Sequence, residues 1–239
     1  MSDEHGKSLA GIRLFRNLSA AEIAAIEKRC RWNRYKVEDQ VLDRLSDNRD
    51  VFLVVEGLVR VVNYSLSGRE IAYATIGPAG HFGELAAIDG GPRSASVVAV
   101  ENCLLASIAP QIFKSIMHDH PDIANEVLQR LARIIRICDD RILDLSTLRA
   151  VQRVYVELMR LAQPSPLNPG SFLIRPMPTH KDVASWAGTT RETVARVMSH
   201  LAEAGVVERK DRALYIRDKA RIEHLAESLD PDHESDHTR

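Results

Sequence analysis

Six apolar residues between Pro121 and Ala150, namely Leu128, Leu131, Ile135, Cys138, Ile142 and Leu145, are separated alternately by three and four positions. Seven residues are close to two turns of an α-helix, so these side chains line one seam of a single long helix. A helix that merely packs on its own domain has no need of so strict a seam. A second helix carrying the same seam does, and the spacing predicts a homodimer. Ile134 and Ile137, on a neighbouring face, support that reading.

The helix also orders the rest of the chain, which at 239 residues is long enough for two modules. Upstream, short Val- and Ile-rich runs alternate with turns: Val51 to Val55, Leu58 to Tyr64, Ile71 to Ile76, Ser96 to Val100 and Leu104 to Ile108. That rhythm predicts an antiparallel sandwich or barrel, with a hairpin turn at Ser67-Gly68 and another turn at Pro78-Ala79-Gly80. From Leu9 to about Arg29 the apolar spacing is helical, and Ser19 with Glu22 is placed as a capping box. Downstream, residues 151–162 read as a further helix, and Gln163 to Gly170 as a proline-rich loop. Residues 1–7 and the tail after Asp230, with His233 and His237, are polar and expected to be disordered. The expected class is α+β, in three parts: 1–120, 121–150 and 151–239.

Inside the strand-rich part, His81 to Ser96 reads HFGELAAIDGGPRSAS. Gly83 before a short apolar run opens backbone N–H groups to an anion. Glu84 stands ready to accept from a sugar hydroxyl, with Leu85 beside it. After the Asp89-Gly90-Gly91-Pro92 turn, Arg93 offers a charged fork and Ser94 a hydroxyl, suited to one phosphate. The segment is expected between two strands and is suited to holding a sugar and a phosphate together.

Residues 179–201 read THKDVASWAGTTRETVARVMSHL. Thr179 with Asp182 and Thr189 with Glu192 are placed as caps of two short helices. Ala184, Gly188 and Val194 let those helices pack closely across a sharp turn, the pattern of a helix-turn-helix. Arg191, Glu192 and Arg196 fall in the first turns of the second helix, where an arginine can read guanine and a glutamate cytosine. Val206 to Arg209 and Ala213 to Arg217 alternate around Lys210-Asp211-Arg212, a basic hairpin suited to phosphates.

Formal net charge is −1, so no global field draws the chain to nucleic acid and a binding surface must be a local patch. Residues 175–217 supply one, with eight Lys or Arg against five Asp or Glu. Cys30, Cys103 and Cys138 are too far apart for a zinc or iron–sulfur site, so no metal is expected. No acid–base or nucleophile–base constellation stands out, so no catalytic residue is assigned. No apolar run approaches a membrane span, and MSDEHGKSLAG carries no signal peptide, which points to the cytoplasm.

FGEL followed by RSA, then a heptad helix, then TRETVARV resembles the cyclic-AMP receptor protein family of bacterial transcription regulators, the Crp–Fnr family. The resemblance spans almost the whole chain. It implies an N-terminal cyclic-nucleotide-binding β-roll, a long dimerisation helix and a C-terminal winged helix-turn-helix. It implies that Gly83, Glu84 and Leu85 meet the ribose and phosphate region and that Arg93 and Ser94 hold the cyclic phosphate. The effector would be cAMP or another cyclic purine nucleotide, cGMP included. It also implies that Arg191, Glu192 and Arg196, set among Thr190 and Thr193, read a TGTGA-like half-site, with Lys210 near the wing contact. Double-stranded DNA, a second copy of the chain and RNA polymerase are the implied partners. Where enteric members carry a Thr-Ser pair against the purine base, this chain has Cys138 and Asp139, and the loop from Glu84 to Arg93 is one residue shorter. The oxygen-sensing branch needs an N-terminal cysteine group, and only Cys30 stands there. Two other readings are a same-fold regulator with no nucleotide or another effector, and a nucleotide-binding regulatory subunit of an enzyme. Arg93 with Ser94 speaks against the first, and the segment from Thr179 to Leu201 against the second.

Overall fold

The computed structural model describes residues 8–64, 70–165 and 171–228. The expectations for residues 1–7, for the Ser67-Gly68 turn, for residues 166–170 and for the tail after Asp230 lie outside the described residues. The chain forms two compact units, Met1–Ile135 and Arg136–Arg239.

The first unit contains, in order, α1 (Ala20–Glu27), β1 (Arg31–Tyr35), β2 (Gln40–Leu42), β3 (Val51–Glu56), β4 (Val59–Tyr64), β5 (Glu70–Ile76), β6 (His81–Phe82), α2 (Glu84–Asp89), β7 (Ser96–Ala99), β8 (Cys103–Ile108), α3 (Pro110–Asp119) and the start of α4 (Pro121–Thr147). The strands form two four-stranded antiparallel sheets, ordered β1-β8-β3-β6 and β2-β7-β4-β5. Strands β3 and β8 are apolar but for Glu56 and Ser107, because their side chains alternate between two covered faces. Phe52, Val54, Cys103 and Leu105 point into the space between the sheets, with Phe82 stacked on Phe52 at 5.1 Å. Val51, Leu53, Ala106 and Ile108 point the other way, against Phe113, Ile116, Ile123 and Val127 of the helices. A strand covered on both faces has no solvent side on which to place polar residues.

One expectation for this unit needs correction, and two strands went unread. Leu9 to Arg29 is helical only at a 3-10 turn, Arg13–Phe15, and in α1. Leu9, Ile12, Leu14 and Phe15 all sink into one core, and burial on that scale outweighs their helix-like spacing. The Ser19–Glu22 capping box is present, with the Ser19 amide 2.7 Å from the Glu22 carboxylate. Strands β1 and β2 had no readable pattern. RWNRY is an edge strand, paired only with β8 and mostly exposed, so it carries no alternation. The segment from His81 to Ser96 lies between two strands as expected, and its Glu84–Asp89 part is a short helix.

The second unit begins within α4 and adds α5 (Ala150–Leu161), β9 (Gln163–Pro164), β10 (Phe172–Ile174), α6 (His180–Trp186), α7 (Arg191–Glu203), β11 (Val207–Lys210), β12 (Ala213–Ile216) and α8 (Lys219–Glu227). Its sheet runs β11-β12-β10-β9. Tyr155, Leu158, Val183, Val194, Val197, Leu201, Leu214 and Ile222 share its core. The end of α4 is tied to α5 by charge. Buried Glu157 accepts from Arg141 Nε at 2.8 Å and from Arg160 Nη1 at 3.0 Å, while Arg160 Nη2 reaches Asp144 at 2.6 Å. Arg153 donates to the carbonyls of Leu148, Ala187 and Gly188, joining the α4–α5 connection to the turn after α6.

Candidate functional site

Strand β6 belongs to one sheet of the first unit and β7 to the other, so residues 83–95 carry the chain across the gap between them. Gly83 makes the turn at φ +86°, in the left-handed region. A Cβ there would lie 2.7 Å from Arg93 Nη1 and 2.8 Å from the Asp50 carbonyl oxygen, so glycine is required twice over. Arg93 is only 3% exposed. Its Nη1 donates to Gly83 O at 2.9 Å, and its Nη2 to Asp50 O at 2.8 Å and to Asn48 Oδ1 at 3.0 Å. Its Nε is buried and has no hydrogen-bond partner among the described residues. Burial pulls the Arg93 pKa below its ordinary value, and the nearby Asp50 and Glu84 carboxylates oppose that shift. Glu84 is itself buried at the first position of α2.

Gly83, Glu84 and Arg93 are thus brought together around one buried guanidinium. Ser94 is adjacent and exposed, its carbonyl held by Asn63 Nδ2 at 3.1 Å. Leu85 faces outward from α2. His81, just before Gly83, is buried, and its backbone oxygen accepts from Arg130 of α4. Burial first, then Arg130 and Arg13, push the His81 imidazole down to about 3, so it is neutral at ordinary pH. Asn48 and Asp50 were not anticipated. The only signal was an Asn-Arg-Asp run directly before β3, which reads as a connector.

Cys138 and Asp139 lie on the part of α4 that belongs to the second unit, and both are exposed. The seam is open in the single chain: Leu128 is 65%, Ile135 60%, Ile142 64% and Leu145 55% exposed. Apolar side chains that bare, repeated along one helix, mark a face that needs a cover.

In the second unit, α6 and α7 form the helix-turn-helix. Thr179 and Asp182 make the expected capping box, with the Thr179 hydroxyl 2.6 Å from the carboxylate. Ala184 and Val194 are buried against each other's helices, and Gly188 turns the chain at φ +57°. The cap of α7 differs from expectation. Thr189 is buried in the turn with its amide on Ala184 O, and Thr190 is the N-cap, its Oγ1 accepting from Thr193 N at 3.2 Å. Thr193 is therefore no exposed reading residue. It is buried, with its hydroxyl 3.1 Å from that of Thr190. The shift leaves Glu192 out of a capping box. Thr190, Arg191, Glu192 and Arg196 all stand exposed at the start of α7. The Glu192 carboxyl is held below its usual range by hydrogen bonds, from its own backbone amide first and then from the Thr190 hydroxyl.

The wing is the β11–β12 hairpin. Its turn residues, Asp211 and Arg212, have φ of 49° and 58°, the two left-handed residues of a tight hairpin. Lys210 is exposed at the tip. Sequence reasoning missed His180 and Arg209, whose side chains meet beside the N-terminus of α6. Burial, then Arg209 and Arg191, lower the His180 pKa, which favours a neutral imidazole beside two arginines next to α7. Alternation along β11 placed Arg209 on the wing, but nothing local pointed it at His180.

An effector domain with a buried arginine and a winged helix-turn-helix in one chain define the class: a transcription regulator that carries its own sensor. Residues 34–120 match the cyclic nucleotide-binding domain and residues 152–225 the Crp-like helix-turn-helix domain. The cyclic AMP receptor protein of Thermus thermophilus is 37% identical over 179 residues, 75% of this chain and 80% of that protein. The CRP-like cAMP-activated global transcriptional regulator of Mycobacterium tuberculosis is 26% identical over 219 residues, 91% of this chain and 98% of that one. The crystal structure of the Thermus thermophilus catabolite activator protein matches with a TM-score of 0.52 at 31% identity, covering 89% of this chain and 97% of that one. The chain belongs to the Crp–Fnr family of DNA-binding transcription regulators. Among the described residues there is no helix long and apolar enough to cross a membrane and no cluster of His, Cys, Asp and Glu that would hold a metal.

Proposed function

We propose that the protein is a homodimeric, cytoplasmic regulator whose binding to a TGTGA-like inverted repeat is controlled by a cyclic purine nucleotide, and which acts on RNA polymerase. The observation that carries the effector reading is Arg93. A buried guanidinium with an orphan Nε, beside a glycine where no side chain fits, suits a phosphate better than it suits a plain protein core. Gly83, Glu84, Arg93 and Ser94 would hold the sugar and phosphate, and the nucleotide would supply the acceptor that the Arg93 Nε lacks. The decisive experiment is calorimetric titration of the purified protein with cAMP and with cGMP, followed by DNA binding with each. Heat of binding with neither nucleotide would end the reading.

On DNA, Arg191 and Arg196, exposed at the start of α7, would meet base edges, with Glu192 beside them. Two copies would place their α7 helices about one turn of the duplex apart, roughly 34–36 Å. Arg191→Ala should cost about 1–3 kcal/mol and relax the preference for guanine at one position per half-site. Lys210→Ala should weaken all sequences alike, as a phosphate contact does. Equal loss for the best site and for random DNA in the Arg191→Ala protein would remove Arg191 from base reading.

Asp139 bears on the choice of base. A carboxylate only accepts hydrogen bonds, and guanine offers N1–H and N2–H₂ side by side where adenine offers one amino group. Both nucleotides are therefore expected to bind, with Asp139 favouring cGMP across the dimer. Asp139→Ala should lose about 1–3 kcal/mol more for cGMP than for cAMP. Equal losses in the two titrations would leave Asp139 without a part in selecting the base.

A further inference from the structure

The hydrogen bonds of Arg93 are unevenly used, and the unevenness points to a residue that sets the affinity of the pocket. A guanidinium holds a phosphate best with two parallel N–H bonds. Here Nη1 is committed to Gly83 O at 2.9 Å, and both hydrogens of Nη2 go to oxygens, Asp50 O at 2.8 Å and Asn48 Oδ1 at 3.0 Å. Nε is buried and without a partner among the described residues. A phosphate that takes Nε–H in a two-bond grip needs the parallel N–H, which lies on Nη2, and both hydrogens of that nitrogen already have acceptors.

The three acceptors are not equal. Gly83 O and Asp50 O are backbone oxygens, the first in the turn into α2 and the second immediately before β3. Asn48 is the one side chain among them, and it is exposed. Its Oδ1 also accepts from Asp50 N at 2.7 Å, which seats it in front of the arginine. Moving it off Nη2 takes a rotation of a surface side chain and gives up or lengthens the bond from Asp50 N.

We propose that Asn48 is a displaceable acceptor that competes with the effector phosphate for Arg93 Nη2, and so tunes nucleotide affinity. The inference rests on the reading of Arg93 as the phosphate residue. In it, the anion takes the orphan Nε–H and replaces Asn48 Oδ1 on Nη2. A neutral amide oxygen is a weaker acceptor than a phosphate oxygen, so the exchange is favourable. A carboxylate at the same place would pair with Arg93 and repel the phosphate. The chain therefore carries an acceptor strong enough to satisfy the arginine and weak enough to yield.

The test is calorimetric titration of the purified 239-residue chain with cAMP and cGMP, unaltered and as Asn48→Ala, Asn48→Ser and Asn48→Asp. Circular dichroism and thermal melting confirm the fold of each. Asn48→Ala should bind about three- to tenfold more tightly, the worth of one competing hydrogen bond. Asn48→Ser, whose hydroxyl can still cap Asp50 N, should also gain affinity, which separates competition from loss of the turn. Asn48→Asp should bind at least about tenfold more weakly, and its deficit should shrink as pH falls toward the ordinary carboxylate value of about 4. All these changes should be the same for both nucleotides, because Asn48 faces the phosphate and not the base. If the unaltered protein binds nucleotide and the folded variants bind it equally, the competing role of Asn48 is overturned and the pocket stands. If the unaltered protein binds neither nucleotide, the phosphate reading falls and takes this inference with it.

Discussion

Arg93→Ala is expected to abolish nucleotide-stimulated DNA binding while leaving the fold and weak non-specific DNA binding in place. Hydrogen bonds from a charged donor contribute about 1.5–3 kcal/mol each, so losing two to a phosphate costs on the order of a hundredfold or more in affinity. The mutation also removes the donor for Gly83 O and Asp50 O, so some thermal stability should go with it. Arg93→Lys separates the two effects, because it keeps a charge but not the fork. It should stay folded and still bind nucleotide poorly. Calorimetry reads the nucleotide, and fluorescence anisotropy with a palindromic duplex reads the DNA. Normal nucleotide affinity in a folded Arg93→Ala protein would take Arg93 out of the pocket.

The second large effect concerns the seam. Ile135 and Ile142 are 60% and 64% exposed in the single chain. Covering an isoleucine contributes about 1.5–3 kcal/mol, and a dimer would cover both on each copy. Ile135→Asp with Ile142→Asp removes that gain and would set four carboxylates facing one another across the seam. Sedimentation velocity should find monomers at concentrations where the unaltered protein is a dimer. Affinity for an inverted repeat should fall toward that for a single half-site. An unchanged dimer would mean that another face joins the copies.

What could be read in advance followed from patterns set by local geometry. The heptad spacing from Leu128 to Leu145 describes one face of one helix, and that face is bare in the single chain except at Leu131, which packs partly on the first core. Thr179 with Asp182, then Ala184, Gly188 and Val194, specify two helices and the turn between them, and each residue does what its type requires. The misses fall where distant packing decides. Leu9 to Arg29 looked helical because its apolar residues are frequent, yet they fill a core from a mostly irregular path. β1 pairs by its backbone with β8, an interaction that leaves no mark on side-chain type. Thr189 reads as the cap of α7 from the sequence, but the turn buries it and Thr190 caps the helix instead. In the pocket, Gly83, Glu84, Arg93 and Ser94 were legible because they lie in one short segment. Asn48 and Asp50 were not, because 43 residues separate Asp50 from the arginine it meets.

Gly188 has no side chain, and Leu145 takes the space one would fill: a Cβ on Gly188 would lie 2.6 Å from Leu145 Cδ2. Leu145 is also the last residue of the seam, with more than half its surface open. One side of this leucine roofs the bend between α6 and α7, and the other side is the ground a second copy would press on. The joint has no slack on the glycine side, since the backbone there is already at φ +57° with a methyl group against it. Close-packed contacts of this kind pass on small displacements instead of absorbing them. In a dimer joined along the seam, the grip at its lower end would press on the turn that sets the recognition helix, and one leucine would be both part of the handshake and the pin of the joint.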